Sequence, residues 1–134
     1  MKSKQLSHLL DGVYVADAKA MGRGVFTTDA IAAGKLIELS PVIVMSGDER
    51  KLLDKTLLHD YIFEWGTKKE NCALALGLVS VYNHSYTANC TYGMYFKQSM
   101  ISVIAVRDIK AGEELFINYN GEWNNKKKVW FDTV

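Results

Sequence analysis

Asp108-Ile109-Lys110-Ala111-Gly112-Glu113-Glu114-Leu115-Phe116-Ile117-Asn118-Tyr119 reads as a tight turn that feeds a short apolar strand ending on a tyrosine. Ile109 is placed to plug a core, and Gly112 supplies the positive φ that such a turn requires. The turn has an echo upstream in Ala30-Ile31-Ala32-Ala33-Gly34-Lys35-Leu36, where the same Ile-x-Ala-Gly precedes another strand. Two short copies do not make a repeat protein. They are one turn type used twice, and they predict a sheet punctuated symmetrically.

Outward from these turns the chain is a series of short β-rich runs, at residues 13–16, 24–28, 35–45, 90–96, 100–106 and 115–119, most of them bounded by Gly, Asp, Asn or Ser. Pro41 interrupts the third run and predicts either two strands or one bent edge strand, because proline donates no ladder hydrogen bond. Gly93 predicts a bulge, and Lys97-Gln98-Ser99 a hairpin turn. Ser46-Gly47-Asp48-Glu49 matches a capping box that opens a helix ahead of Leu52, Leu53, Leu57 and Leu58. Residues 71–80 are apolar on nearly all sides and predict a second, buried helix, with Gly77 as its weak point.

A chain of 134 residues with 49% apolar and 23% charged residues predicts a single globular domain. At that size about two-thirds of the unfolded chain's surface is buried, so the core needs neither disulfides nor a structural metal. Sixteen basic against fifteen acidic residues argue against a general nucleic-acid binder, which carries a marked positive excess. Cys72 and Cys90 form no CxxC pattern, which disfavours a secreted disulfide scaffold or a cysteine-built metal site and fits a reducing cytosol. Asp11 breaks the basic N-terminal segment before a signal-peptide core can form, and no run approaches the ~20 apolar residues of a membrane span. The expectation is a soluble intracellular protein.

Three clusters carry candidate chemistry: Gly22-Arg23-Gly24-Val25-Phe26, Tyr82-Asn83-His84-Ser85, and residues 113–119. Each taken alone has an ordinary reading. Gly-x-Gly is common where strands begin and lacks the third glycine of a dinucleotide fingerprint. His84 has no neighbouring ligand at metal spacing, and Ser85 lacks the frame of a nucleophile elbow. Tyr119 fits a core or rim tyrosine.

In order and spacing, however, these clusters together with the Ile-x-Ala-Gly-Glu-Glu lead-in resemble the SET-domain protein-lysine methyltransferases, over residues 13–123. In length, and in Asp60-Tyr61-Ile62-Phe63, the chain looks most like the minimal SET proteins of viruses and bacteria. The resemblance implies a mostly β, α+β SET fold of several small sheets with short helices and a C-terminal pseudoknot, in which the last strand tucks beside the Asn83-His84 segment. It implies one domain over residues 1–134, with 124–134 as a short tail. It further implies S-adenosyl-L-methionine as cofactor, a protein substrate with an exposed lysine, histone or histone-like, and, by likeness to the viral type, a homodimer.

Carried over position by position, Gly22, Arg23 and Gly24 match the segment whose backbone approaches the methionine part of the cofactor. Asn83 and His84 match the pair that holds it, and Tyr61 matches an aromatic lining both the cofactor and the lysine channel. Trp123 matches an aromatic near the adenine, with a core-capping tryptophan as its plain alternative. Tyr119 matches the catalytic tyrosine, as dipole or as phenolate. Ile117 stands two residues before it, where side-chain size influences how many methyl groups are added, and favours di- or trimethylation. No metal is implied. The competing readings are an inactive SET-fold interaction module and a β-rich nucleic-acid binder stacking bases on Tyr92, Tyr95 and Phe96. The tail's Lys126, Lys127, Lys128, Trp130 and Phe131 read as a solvated segment folding back on the domain.

Overall fold

The computed structural model describes residues 5–121. In chain order the elements are β1 (His8–Leu9), β2 (Val13–Asp17), β3 (Arg23–Thr27), β4 (Leu36–Met45), α1 (Gly47–Leu53), β5 (Ile62–Trp65), β6 (Asn71–Ala75), β7 (Asn83–His84), β8 (Cys90–Tyr95), β9 (Met100–Ala105) and β10 (Glu114–Ile117). Short 3-10 turns occupy Lys19–Met21, Leu57–Tyr61 and Val79–Val81. The result is the expected α+β arrangement of small sheets with short helices.

One sheet runs β5-β6-β4-β9-β8, with β1 added against β4, and the second runs β2-β3-β10-β7. The Ile-x-Ala-Gly turns tie the molecule together by pairing with each other. Ile31 and Ile109 exchange both main-chain hydrogen bonds, at 2.9 and 2.8 Å, and their side chains are only 3% and 1% exposed. Burying each isoleucine contributes about 1.5–3 kcal/mol. Gly34 and Gly112 have φ of 86° and 84°, so both turns need a residue without Cβ strain.

β4 is one continuous strand of ten residues lying inside its sheet, which corrects the expectation of two strands or a bent edge strand. Along one side it pairs with β9. Along the other, β1 covers Leu39 and Glu38, and β6 covers residues 42–45. Pro41 stands where that side passes from one partner to the next, where a missing ladder donor costs least. Gly93 is no bulge: it pairs in register with Ser102, and the irregularity falls between Leu36 and Glu38. A Cβ at Gly93 would lie 3.1 Å from Ser102 Oγ, so glycine there serves close cross-strand approach. The 97–99 hairpin turn forms, with Ser99 at φ 55°.

The helix expected over residues 71–80 is β6 followed by the Val79–Val81 turn. β6 lies between β5 and β4, with Cys72 and Ala73 fully buried. A strand covered on both faces loses the alternation that distinguishes it from a buried helix. The capping box forms as expected. Glu49 N–H donates to Ser46 Oγ at 3.1 Å, and Ser46 N–H donates to Glu49 Oε2 at 2.8 Å. The helix stops at Leu53, however, and Leu57 and Leu58 belong to the next 3-10 turn, both exposed.

What matters most for the site is β10. It pairs antiparallel with β3, through Glu114–Phe26 and Leu115–Val25, and parallel with β7, through Phe116–Asn83 and Ile117–His84. Alternation drives it there: Leu115 and Ile117 are fully buried, while Glu114 and Phe116 are partly exposed on the other face. The three clusters, distant in sequence, thus become neighbours. Among the described residues no helix is long and apolar enough to cross a membrane.

Candidate active site

Gly22 follows the Lys19–Met21 turn with φ 74° and ψ −134°, a conformation only glycine adopts readily, and its N–H closes that turn on Lys19 O. β3 then starts at Arg23, one strand away from β10 and two from β7. Asn83 reaches across this span. Its Nδ2 donates to Arg23 O at 3.1 Å and to Glu114 Oε2 at 2.8 Å. With both amide protons committed, the group left to offer a ligand is the Oδ1 acceptor. Gly24 makes the arrangement possible, because a Cβ there would sit 2.5 Å from Glu114 Oε2 and 2.9 Å from Asn83 Nδ2.

Tyr119 lies two residues beyond β10 and is held at both ends. Its N–H donates to His84 Nδ1 at 3.0 Å, and its phenol O–H donates to Tyr82 O at 2.8 Å. An Nδ1 that accepts carries no proton, so the His84 ring is neutral with its hydrogen on Nε2. The two rings pack with centroids 5.1 Å apart. Burial pushes the Tyr119 phenol up to about 12, with smaller upward contributions from Tyr61, Asp60, Glu114 and Tyr92. Of the two states left open by the sequence, dipole or phenolate, the environment selects the neutral phenol at ordinary pH.

Tyr92 is also raised to about 12, by burial first and Glu64 second, and burial with the neighbouring Glu38 pushes Tyr82 well above 10. In the unfolded chain tyrosines ionise near 10. Between pH 10 and 12 the native state therefore keeps protons that the unfolded state has lost. Their contribution to stability is complete below pH 10 and disappears as pH rises through about 12. Melting temperatures measured from pH 9 to 12 should fall across this window, and the fall should be shallower in Tyr92→Phe.

Two adjoining cavities meet at these residues. One, of about 540 Å3, is lined by Gly22, Arg23, Asn83 and Met21, and the other, of about 800 Å3, by Phe63, Tyr92, Met94 and Phe96. Asp60, Tyr61, Ser80 and Tyr119 border both. Tyr61 ends the Leu57–Tyr61 turn and is anchored by Ser80 Oγ, which donates to Tyr61 O at 2.8 Å.

Of the residues singled out in the sequence, Gly22, Arg23, Tyr61, Asn83 and Tyr119 come together around the smaller cavity. Gly24 and His84 stand behind it, one leaving room for the Asn83 amide and the other anchoring the Tyr119 backbone. Ile117 is fully buried in the core, opposite His84, and is not brought to either cavity. Trp123 and the tail residues Lys126, Lys127, Lys128, Trp130 and Phe131 lie outside the described residues. Sequence reasoning missed Tyr82, Ser80, Asp60 and Glu114 as parts of the site. Glu114 and Tyr82 lay inside quoted motifs, but their partners are 31 and 37 residues away and leave no local signal.

The smaller cavity suits a zwitterionic, cationic cofactor. Its volume falls within the ~300–1,000 Å3 of ligand sites. Its lining offers a guanidinium for a carboxylate, and the Asp60 carboxylate with the Asn83 Oδ1 acceptor for an ammonium or sulfonium.

Comparison with known proteins places this geometry. The model of the SET domain matches residues 22–120. A Schizosaccharomyces pombe histone-lysine N-methyltransferase, H3 lysine-37 specific, is 34% identical over 119 residues, covering 88% of this chain and 76% of the relative. A crystal structure of a Plasmodium falciparum protein assigned as a candidate histone methyltransferase superposes with TM-score 0.68 at 24% identity, covering 87% of this chain and all of that one. Chaetomium thermophilum Polycomb Repressive Complex 2, bound to S-adenosylmethionine, superposes with TM-score 0.69 at 25% identity, covering 85% of this chain and 16% of that one.

These relatives overturn the likeness to minimal viral and bacterial SET proteins. The relatedness is to eukaryotic histone-lysine methyltransferases. The likeness rested on length and on residues 60–63, and length carries no information about lineage. The run at residues 60–63 lines the cavities here, with Phe63 against Tyr92 at 5.4 Å between ring centroids, and a role at the site does not mark a viral or bacterial lineage.

Proposed function

The chain belongs to the SET-domain family and is an S-adenosylmethionine-dependent protein-lysine methyltransferase, and from that premise we propose that its substrate is a histone lysine. The observation that carries the reading is the pair of adjoining cavities bordered by Tyr61 and Tyr119, together with the histone specificity named for the Schizosaccharomyces pombe relative. When bound, the cofactor supplies a methyl group on a sulfonium.

The chain's own residues do the rest. Gly22, Arg23 and Asn83 cradle the cofactor, with Gly24 and His84 holding that cradle in shape. The lysine side chain enters the larger cavity, where Phe63, Tyr92 and Phe96 form an apolar wall. An amine with a solution pKa of about 10.4 must lose its proton to react, and apolar surroundings disfavour the ammonium. Tyr119, a neutral phenol pinned between the cavities, orients the amine for in-line attack. Catalysis then rests on alignment and electrostatics, with no covalent enzyme intermediate.

Residues 1–134 form one SET domain in this reading, supported by a hydrophobic cluster that, among the described residues, includes residues of both sheets. A histone substrate places the enzyme inside the cell and away from membranes. The homodimer expected by likeness to the viral type loses its ground with that likeness.

The test is transfer of labelled methyl from S-adenosylmethionine to recombinant core histones, read by mass spectrometry, alongside calorimetry of cofactor binding. Label on one histone lysine is the expected result. Cofactor binding without label on any histone redirects the search to other proteins, and absence of binding points to an interaction module.

A further inference from the structure

Glu38 lies on β4 and is 2% exposed, and none of the ion pairs among the described residues involves it. A carboxylate buried without a cation is costly unless hydrogen-bond donors surround it. Three do. Ser40 Oγ donates to Oε2 at 2.7 Å, Leu78 N–H to the same oxygen at 2.6 Å, and Tyr82 O–H to Oε1 at 3.2 Å. Leu78 and Tyr82 are the residues that flank the Val79–Val81 turn, so one carboxylate grips that turn at both ends. Gly77 leaves the space for it, since a Cβ there would collide with Glu38 Oε2 and Ser40 Oγ.

The gripped turn bears directly on the site. Its middle residue, Ser80, anchors Tyr61 and borders both cavities. Its last flank, Tyr82, is fully buried and presents the carbonyl that accepts the Tyr119 phenol at 2.8 Å. The side chain of Tyr82 thus fixes where its own carbonyl stands, and Glu38 fixes the side chain. We propose that Glu38 is a positioning residue for Tyr119, acting through the phenol and carbonyl of Tyr82. This rests on the reading of Tyr119 as the catalytic tyrosine.

The test uses the full chain carrying tyrosine labelled with carbon-13 at Cζ, a position sensitive to the hydrogen bond of each phenol. Tyr119→Phe assigns the Tyr119 signal. In Glu38→Gln and in Tyr82→Phe, which keeps the ring volume, the Tyr119 signal should move while a cooperative thermal transition persists. Turnover on core histones should fall by about 10- to 100-fold, the size of loss a small misplacement causes, with the KM for S-adenosylmethionine unchanged. In a Tyr119→Phe background Glu38→Gln should cost no further turnover.

An unmoved Tyr119 signal in the folded variants overturns the proposal. So does a loss confined to KM and melting temperature, which is what a merely structural clamp gives. If Glu38→Gln does not fold, Tyr82→Phe decides. If the wild type methylates no histone, the substrate reading fails, and the Tyr119 signal still decides the role of Glu38.

Discussion

Tyr119→Phe should lower methyl transfer by about 100-fold or more, the size of loss that misorientation of a reacting group causes, while the protein stays folded and binds S-adenosylmethionine as before. The expectation comes from how Tyr119 is held. The variant keeps the main-chain hydrogen bond from residue 119 to His84 Nδ1 and the ring packing at 5.1 Å. It loses only the phenol O–H that is fixed on the Tyr82 carbonyl between the two cavities. What disappears is therefore orientation of the amine, a contribution made where bonds change and absent from ground-state binding. Single-turnover transfer to core histones, with calorimetry of the cofactor, separates the two. A variant that keeps turnover would remove Tyr119 from the mechanism. One that loses cofactor affinity instead would make it a wall of the cofactor site.

Asn83→Ala should have the opposite signature, weakening S-adenosylmethionine by about 100-fold or more. A hydrogen bond to a charged group is worth about 1.5–3 kcal/mol, and 2.8 kcal/mol corresponds to a hundredfold in affinity. Asn83 does two things that alanine cannot. Its Oδ1 is the acceptor left to meet a cationic group, and its two N–H bonds satisfy Arg23 O and the Glu114 carboxylate. Removing the side chain leaves Glu114 Oε2 without this donor beside the cofactor, which adds disorder in the cradle to the lost contact. Calorimetry of wild type and variant with S-adenosylmethionine and its demethylated product reads the effect without a protein substrate. Unchanged affinity would mean that the cofactor is held without Asn83, and the assignment of the smaller cavity would fall.

Much of this was legible before any coordinates. The Ile-x-Ala-Gly turns carried their own physical signal, a core isoleucine with a glycine at positive φ, and both formed with φ near 85°. The capping box at Ser46 and Glu49 depends on residues three apart and formed as its chemistry dictates. Readings failed where local pattern underdetermines structure. Residues 71–80 were misread because β6 is covered on both faces and shows no alternation. Pro41 suggested two strands or a bent edge strand, and neither formed, because only the sheet order reveals that β4 changes partners along one side. The narrower likeness to viral and bacterial proteins failed because it rested on length and on residues 60–63, whereas the relatives found are eukaryotic.

By itself the sequence determined the family, the cofactor and the short set of residues from which a site could be assembled, since motif identity and order survive without knowing where anything lies in space. Only the tertiary structure decided which of them meet. Ile117 and Tyr119 are two residues apart, yet alternation along β10 buries one in the core and the chain beyond the strand carries the other to the cavities. Glu38 and Tyr82, 44 residues apart, form a buried carboxylate–phenol contact that no spacing rule announces. Hydrogen bonds between distant strands depend on register and burial, and those are properties of the folded chain.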